Sequence, residues 1–158
     1  IAKKCEDAQF VVVHSNHDDF ITKYLNQCDF LHDSINVLTA MEMFVKMTKN
    51  NENPLLKYIH AKNVTFLDKD ASCVEYGYEL GQHGSAGIAG AKGSAQTFSK
   101  TYTKSVTGHT HSPATFESAI IVGTNSKLVL NYNSGISNWA HNNVIIHSNG
   151  TYQHIFAH

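Results

Sequence analysis

The chain has 158 residues, the length of one domain, and its 42% hydrophobic and 10% aromatic content suffices for an ordinary packed core. A formal net charge of -1 and a pI near 6.9 argue against a protein that holds nucleic acid by bulk charge, so any contact with an anionic partner must be local. Eleven histidines are a heavy load for this length, and imidazole is both the commonest metal ligand and a general acid or base near neutral pH.

Cys5, Cys28 and Cys73 are odd in number and lack Cys-x-x-Cys spacing, which argues against a disulfide framework or a zinc ribbon and for a reducing, intracellular setting. No apolar run approaches the length of a membrane span, and no signal-peptide pattern opens the chain. The Asn-x-Thr sequons at Asn63 and Asn149 then read as chance. The first residue is Ile, so a processed or truncated piece is expected.

In chain order, Gln9 to Val13 is a short β-branched run that suits a strand buried on both faces. It stops at His14-Ser15-Asn16-His17-Asp18, which places a polar cluster at a strand's carboxyl end, where open α/β sheets hold their ligands. Asp18 or Asp19 can cap a helix running to about Gln27. Asp33 or Ser34 can cap a second helix to about Lys49, in which Val37, Leu38, Met41, Phe44 and Val45 recur at helical spacing and the methionines read as core. Asn50 to Pro54 breaks that helix, and Leu55 to Ile59 reads as one further helical turn.

Val64 to Leu67, Cys73 to Tyr76 and Tyr78 to Gln82 read as short strands. The Gly-dense stretch Gly84 to Ser94 fails the phosphate-loop test, because Lys92 precedes Gly93 and no Gly-Lys-[Ser/Thr] follows. It reads as a mobile loop, with Lys92 a candidate phosphate contact. Ser94 to Tyr102 reads as helical and Lys104 to Thr107 as a strand. Further strands are expected at Ile120 to Gly123, Lys127 to Leu130, Asn143 to His147 and Thr151 to Phe156, the last two joined at Asn149-Gly150 by a type I′ hairpin turn. With no repeat and no linker, one α/β domain is the simplest account: a two-sheet sandwich with helices outside, ending in a β-hairpin.

The chemistry centres on Gly108-His109-Thr110-His111-Ser112-Pro113, a Gly-opened, Pro-closed turn that sets two imidazoles two residues apart. His83-Gly84 follows one strand and Ser15-Asn16-His17-Asp18 another. In this order the three motifs resemble the carboxyl-terminal half of the calcineurin-like metallophosphoesterases. The tail, with Val122 to Leu128 and Tyr132-Asn133-Ser134-Gly135, looks most like phage-encoded members. That resemblance covers roughly Val11 to His111 by motif and implies an α/β/β/α-like two-sheet metallophosphoesterase sandwich.

The resemblance further implies that Asn16, His83 and His109 bind one metal and His111 a second. His17 would stabilise phosphoryl oxygens or protonate the leaving oxygen, with Asp18 orienting its ring. Two divalent ions about 3.5–4 Å apart polarise a phosphate and make hydroxide near neutral pH. Imidazole and amide oxygen ligands suit manganese, iron or zinc better than calcium, and the resemblance implies manganese first, with iron, zinc or magnesium as alternatives. Ser15 departs from the glycine usual in the family. The Asp-x-His and Gly-Asp-x-x-Asp motifs, which supply the carboxylate ligands, are absent from the 158 residues. They are expected upstream of Ile1, in the other half of the same domain.

The expected activity is metal-dependent hydrolysis of phosphodiesters, with DNA the leading substrate and the host cytoplasm the setting if the protein is phage-encoded. The alternatives are a phosphomonoesterase, a nucleotide phosphodiesterase, or a scaffold that keeps the fold without turnover. A homo-oligomer is left open, and no membrane partner is expected. Trp139 reads either as a loop anchor or as a stacking platform for a base. His14, His32, His60, His141, His147, His154 and His158 read as surface or satisfied interior groups.

Overall fold

Short strands and two amphipathic helices combine into a mixed α/β chain, seen in a computed structural model that describes residues 4–50, 62–101, 103–130, 132–133 and 135–157. The chain divides into two units, Ile1–Phe66 and Leu67–His158, each described by itself.

In the first unit β1 (Phe10–Val12) pairs in parallel with β2 (Val64–Phe66). Val11 and Val12 are 45% and 37% exposed, so the expectation of burial on both faces is corrected: β1 has one neighbouring strand among the described residues. Helix α1 (Asp18–Asn26) begins immediately after the turn that follows β1. Asp18 is its first residue rather than its cap, and the position before it is His17, whose side chain makes no capping bond. Asp18 and Asp19 place negative charge against the positive end of the helix dipole.

A 3₁₀ turn, Asp29–His32, leads to α2 (Val37–Asn50). Neither Asp33 nor Ser34 stands directly before α2, yet Asp33 organises its approach. Its Oδ1 accepts the N–H groups of Ile35 at 3.2 Å and Asn36 at 3.1 Å, and its Oδ2 accepts the Asn36 amide at 2.9 Å and the Tyr24 hydroxyl at 3.0 Å. The Asn36 side-chain bond, then its backbone bond, hold the Asp33 carboxyl below the usual carboxylate range. A lowered native pKa means that this bracing is fully present at neutral pH and is lost as pH falls through the lowered value. Burial, and then the bond to Asp33, raise the Tyr24 phenol.

The helices close over Leu25, Phe30, Ala40 and Met43, with Ile21, Tyr24, Val37, Phe44 and Met47 packed around them. Of the methionines expected in the core, Met43 is buried, Met47 packs beside it and Met41 is 47% exposed. Met41 shares an outward stripe of α2 with Leu38 and Val45, because the apolar positions occupy more of the helix circumference than this core covers. The expected break over residues 51–54, the turn at residues 55–59 and His60 lie outside the described residues.

The second unit carries a five-stranded sheet in the order β3, β4, β5, β7, β6. Strand β3 (Val74–Glu75) turns into antiparallel β4 (Tyr78–Glu79) through Tyr76 and Gly77, both at positive φ (48° and 82°), the geometry of a two-residue type I′ turn. Strands β4, β5 (Lys104–Thr107) and β7 (Ala119–Ile121) run parallel, and β6 (Ala114–Phe116) lies antiparallel on the far edge. Ala119, Ile120 and Ile121 are all buried, as a central strand with parallel and antiparallel neighbours requires. The sequence reading missed β6, an edge strand of three residues, all exposed and too few to signal a strand.

Gly84 to Ser94 is a closed loop: Ala86 bridges Lys92, and the Gly87 N–H donates to Ala91 O at 2.6 Å. A Cβ on Gly93 would lie 1.9 Å from Gly84 O, so this glycine permits backbone packing and not only flexibility. The helix expected from Ser94 is one turn, α3 (Ala95–Phe98), capped by Ser94 Oγ accepting the Thr97 N–H; Tyr102 lies outside the described residues. Lys127 to Leu130 is not a strand. The Asn133 side chain takes its backbone bonds instead, accepting from Leu130 N–H at 2.6 Å and donating to Leu128 O at 2.8 Å.

The final hairpin joins β8 (Asn142–Ile146) to β9 (Tyr152–Phe156) as expected, but not by a type I′ turn. Gly150 has φ 77° and donates to His147 O at 2.8 Å, while Asn149 is not at positive φ; this is a three-residue loop ending in a left-handed glycine. His154 joins the two sheets, with Nε2 3.0 Å from Thr115 Oγ1 on β6 and Nδ1 3.1 Å from Oδ1 of buried Asn142 on β8. Among the described residues, no helix is long and apolar enough to cross a membrane.

Burial separates two leucines of similar helical placement. Leu25→Ala, at 0% exposure, should cost roughly 2–5 kcal/mol in urea unfolding, whereas Leu38→Ala, at 76%, should stay within about 0.5 kcal/mol. Equal costs would contradict this assignment of the core.

Candidate functional site

Parallel pairing of β4, β5 and β7 brings the carboxyl ends of three strands to one edge of the sheet. The chain leaves β4 through Leu80-Gly81-Gln82 and reaches His83, and it leaves β5 directly into Gly108-His109-Thr110-His111. Two hydrogen bonds extend the strand pairing into these loops: Gly108 N–H donates to His83 O at 2.9 Å, and Val122 N–H to Thr107 O at 2.8 Å. The strand register therefore determines where the histidines fall.

Gly84 sits at φ 102°, and a Cβ there would meet Thr107 Cβ at 3.0 Å. The glycine of the His83-Gly84 pair is thus required by its backbone conformation and by close packing on β5. Behind the loops, Glu79 braces the chain as it leaves β4. It accepts the N–H groups of Cys73 at 2.9 Å and Gly81 at 2.6 Å, together with the Ser72 hydroxyl. Burial pushes its carboxyl up, but these bonds outweigh burial and hold it below the usual carboxylate range.

The rings of His83 and His109 meet at the carboxyl edge. His83 Nε2 and His109 Nδ1 are 3.2 Å apart, and the ring planes are inclined at 76°. At the usual metal–imidazole distance of about 2.1 Å, two nitrogens with this separation would subtend roughly 100° at a shared ion, which tetrahedral or octahedral coordination accepts. Among the described residues, no group of three His, Cys, Asp or Glu is gathered to hold a metal.

His109 and His111 both have positive φ, 67° and 61°, whereas Gly108 does not. Thr110 N–H donates to Gly108 O at 2.8 Å, so His109 is the apex of a γ-turn of the rare, positive-φ form. The glycine that opens the motif is not where the backbone needs one. Two non-glycine residues in the left-handed region each cost of order 1–3 kcal/mol, which an otherwise well-bonded loop must offset.

His111 is held by a different set of neighbours. Its ring lies edge to face with Trp139, the centroids 4.3 Å apart, and its carbonyl accepts the Ala140 N–H at 3.2 Å. Ser112 Oγ donates to Asn138 Oδ1 at 2.7 Å, and Thr124 N–H to Ala140 O at 3.0 Å. A Cβ on Gly123 would fall 2.1 Å from Ala140 O, so close approach of these loops depends on that glycine. Trp139 is therefore an anchor of the histidine turn itself, not of the sheet. Lys92 is exposed at the mouth of its own closed loop.

In the first unit, Ser15-Asn16-His17-Asp18 follows β1 as a turn entering α1, as expected. The Asp18 carboxylate accepts the Ser15 N–H at 2.7 Å and the Ser15 hydroxyl at 3.2 Å, so these bonds brace the turn that carries His17 rather than its ring. The His17 ring packs on Phe20, the centroids 5.2 Å apart. His14, read as a background residue, has its Nε2 3.1 Å from Asp19 Oδ1. The hydroxyl of Ser15, where the resemblance expects glycine, takes part in this network and had no signal in the sequence beyond its place in the motif.

Position 109 isolates the backbone strain, since Ala and Gly both remove the imidazole. His109→Gly should be more stable than His109→Ala by about 1–2 kcal/mol in urea unfolding, because only glycine occupies this region without a Cβ clash. Equal stabilities would contradict a strained turn.

No family model matches the chain, and no solved structure matches it. The chain is similar to Protein A1 of Escherichia phage T5, at 30% identity over 156 residues. The alignment takes in 90% of this chain and 28% of that protein, so the chain spans little more than a quarter of its relative's length.

Proposed function

We propose that the chain contributes to a metal-dependent phosphoesterase centre of the calcineurin-like kind, acting on phosphodiesters, with DNA the leading substrate. The observation that carries this reading is the meeting of His83 and His109 at the carboxyl ends of parallel strands, two ring nitrogens 3.2 Å apart. Similarity to a phage protein supports a phage setting, in which a DNA substrate would lie in the host cytoplasm.

In this reading His83 and His109 hold one divalent ion and His111 a second, with manganese the first choice. Such ions supply charge neutralisation at the phosphate and acidify a bound water. For the Ser15-Asn16-His17-Asp18 motif this reading keeps the roles the resemblance implies, Asn16 a metal ligand and His17 the donor of a proton to the leaving oxygen. Ser15 Oγ and Ser15 N–H fix Asp18, and through that turn the stem on which His17 is carried. The neutral imidazole and amide donors leave most of each ion's charge uncompensated, so binding by these residues alone is weak. The fuller fold in this reading is the two-sheet sandwich of that family.

The double substitution of His109 and His111 by Ala should abolish manganese-stimulated hydrolysis of a phosphodiester. His17→Ala should lower turnover by roughly 10²–10⁴-fold and leave metal content unchanged. Metal analysis and turnover on the same preparations check both. Wild-type turnover in the double variant would sink the metal assignment, and loss of metal with His17 would move that residue among the ligands. Metal binding in the wild type without turnover on diesters or monoesters would favour the scaffold reading, which the absence of Asp-x-His and Gly-Asp-x-x-Asp motifs from these residues keeps in play.

A further inference from the structure

We infer that Tyr132 is a stacking platform for an unpaired base of a nucleic-acid strand, with Trp139 linking that platform to the histidine turn. The assignment rests on the phosphodiesterase reading and narrows its substrate to strands with accessible bases. Three rings of the second unit touch in succession: His111 lies 4.3 Å from Trp139, and Trp139 lies 5.9 Å from Tyr132, each pair edge to face. Tyr132 is the outermost ring and is 70% exposed, whereas Trp139 is half-buried between the other two.

A large aromatic ring left this open contributes little to a core, and described residues before and after it are braced by hydrogen bonds. Asn133, next to Tyr132, bonds Leu128 O and Leu130 N–H; Thr124 Oγ1 accepts the Ser126 N–H; and His141 Nε2 lies 2.9 Å from Ser126 O. The same loop carries Lys127, which is exposed. An exposed aromatic face on a loop that also carries a cation is the combination that single-strand binders use, because every base has a π face and every nucleotide a phosphate. The chain's near-zero net charge makes such a local device necessary, since bulk attraction to a polyanion is lacking.

Fluorescence anisotropy with a labelled thymidine dodecamer, and with the same strand made abasic, tests this in EDTA, where no hydrolysis intrudes. The wild type should bind the base-bearing strand more tightly than the abasic one. Tyr132→Ala should weaken the base-bearing strand roughly 5- to 100-fold and leave the abasic strand unchanged, while Tyr132→Phe retains the preference. The emission of Trp139, the single tryptophan, should be quenched by the base-bearing strand and by it alone. Equal wild-type affinity for the two strands overturns the platform, as does an equal loss on both strands in a folded Tyr132→Ala protein. Because the readout needs neither metal nor turnover, absence of hydrolysis counts against the phosphoesterase reading and leaves the platform's test intact.

Discussion

Everything proposed for the second unit depends on the parallel pairing of β4, β5 and β7. Parallel strands leave the sheet in the same direction, so chain segments separated in sequence emerge side by side at one edge. Here that edge receives His83 from one strand and His109 from the next, and the bond from Gly108 N–H to His83 O sets their spacing. The glycines follow from this crowding: Gly84 and Gly123 stand where a Cβ would strike β5 or the Ala140 carbonyl. Geometry at the ring nitrogens is therefore a consequence of register, and a slip of one residue would turn each side chain to the other face.

The histidine turn carries a conformational cost that its surroundings offset. Left-handed φ at His109 and His111 is unfavourable for residues with a Cβ, although histidine, like asparagine, is met there more often than most. The bonds from Thr110, Ala140 and Val122, with the packing of Trp139 on His111, hold the loop in that shape. Held rings need little reorganisation to receive a ligand, which is the physical advantage of spending stability in this way. The first unit shows a milder version, in which Asp18 spans the turn before α1 and ties Ser15 to the helix start.

Much of the element order was legible because it rests on local chemistry. The strand at Lys104–Thr107, the two long helices and the last hairpin all carry apolar periodicity or strong turn signals, and all are present. Non-local bonding decided the rest. Lys127 to Leu130 has strand-like composition, yet Asn133 satisfies its backbone more locally than a neighbouring strand would. Ala114–Phe116 is too short to signal a strand and is paired where β7 offers it an edge. At the site, His83, His109 and His111 are singled out by the resemblance of their motifs, and the rings of the first two meet. The strain at His109 and His111, the structural role of Gly84 and the succession of rings through Trp139 to Tyr132 could not be read from the sequence, since each arises where distant segments meet.

The central claim is that His83 and His109 are ligands to one ion, and pulsed EPR of manganese-loaded protein addresses it without reference to substrate. Imidazole nitrogen bound to manganese gives ¹⁴N modulation that water and carboxylate oxygen do not. The account predicts nitrogen couplings in the wild type that diminish in His83→Ala and again in His109→Ala, with Tyr132→Ala unchanged. A spectrum showing oxygen coordination alone, or nitrogen couplings indifferent to both histidines, would contradict it.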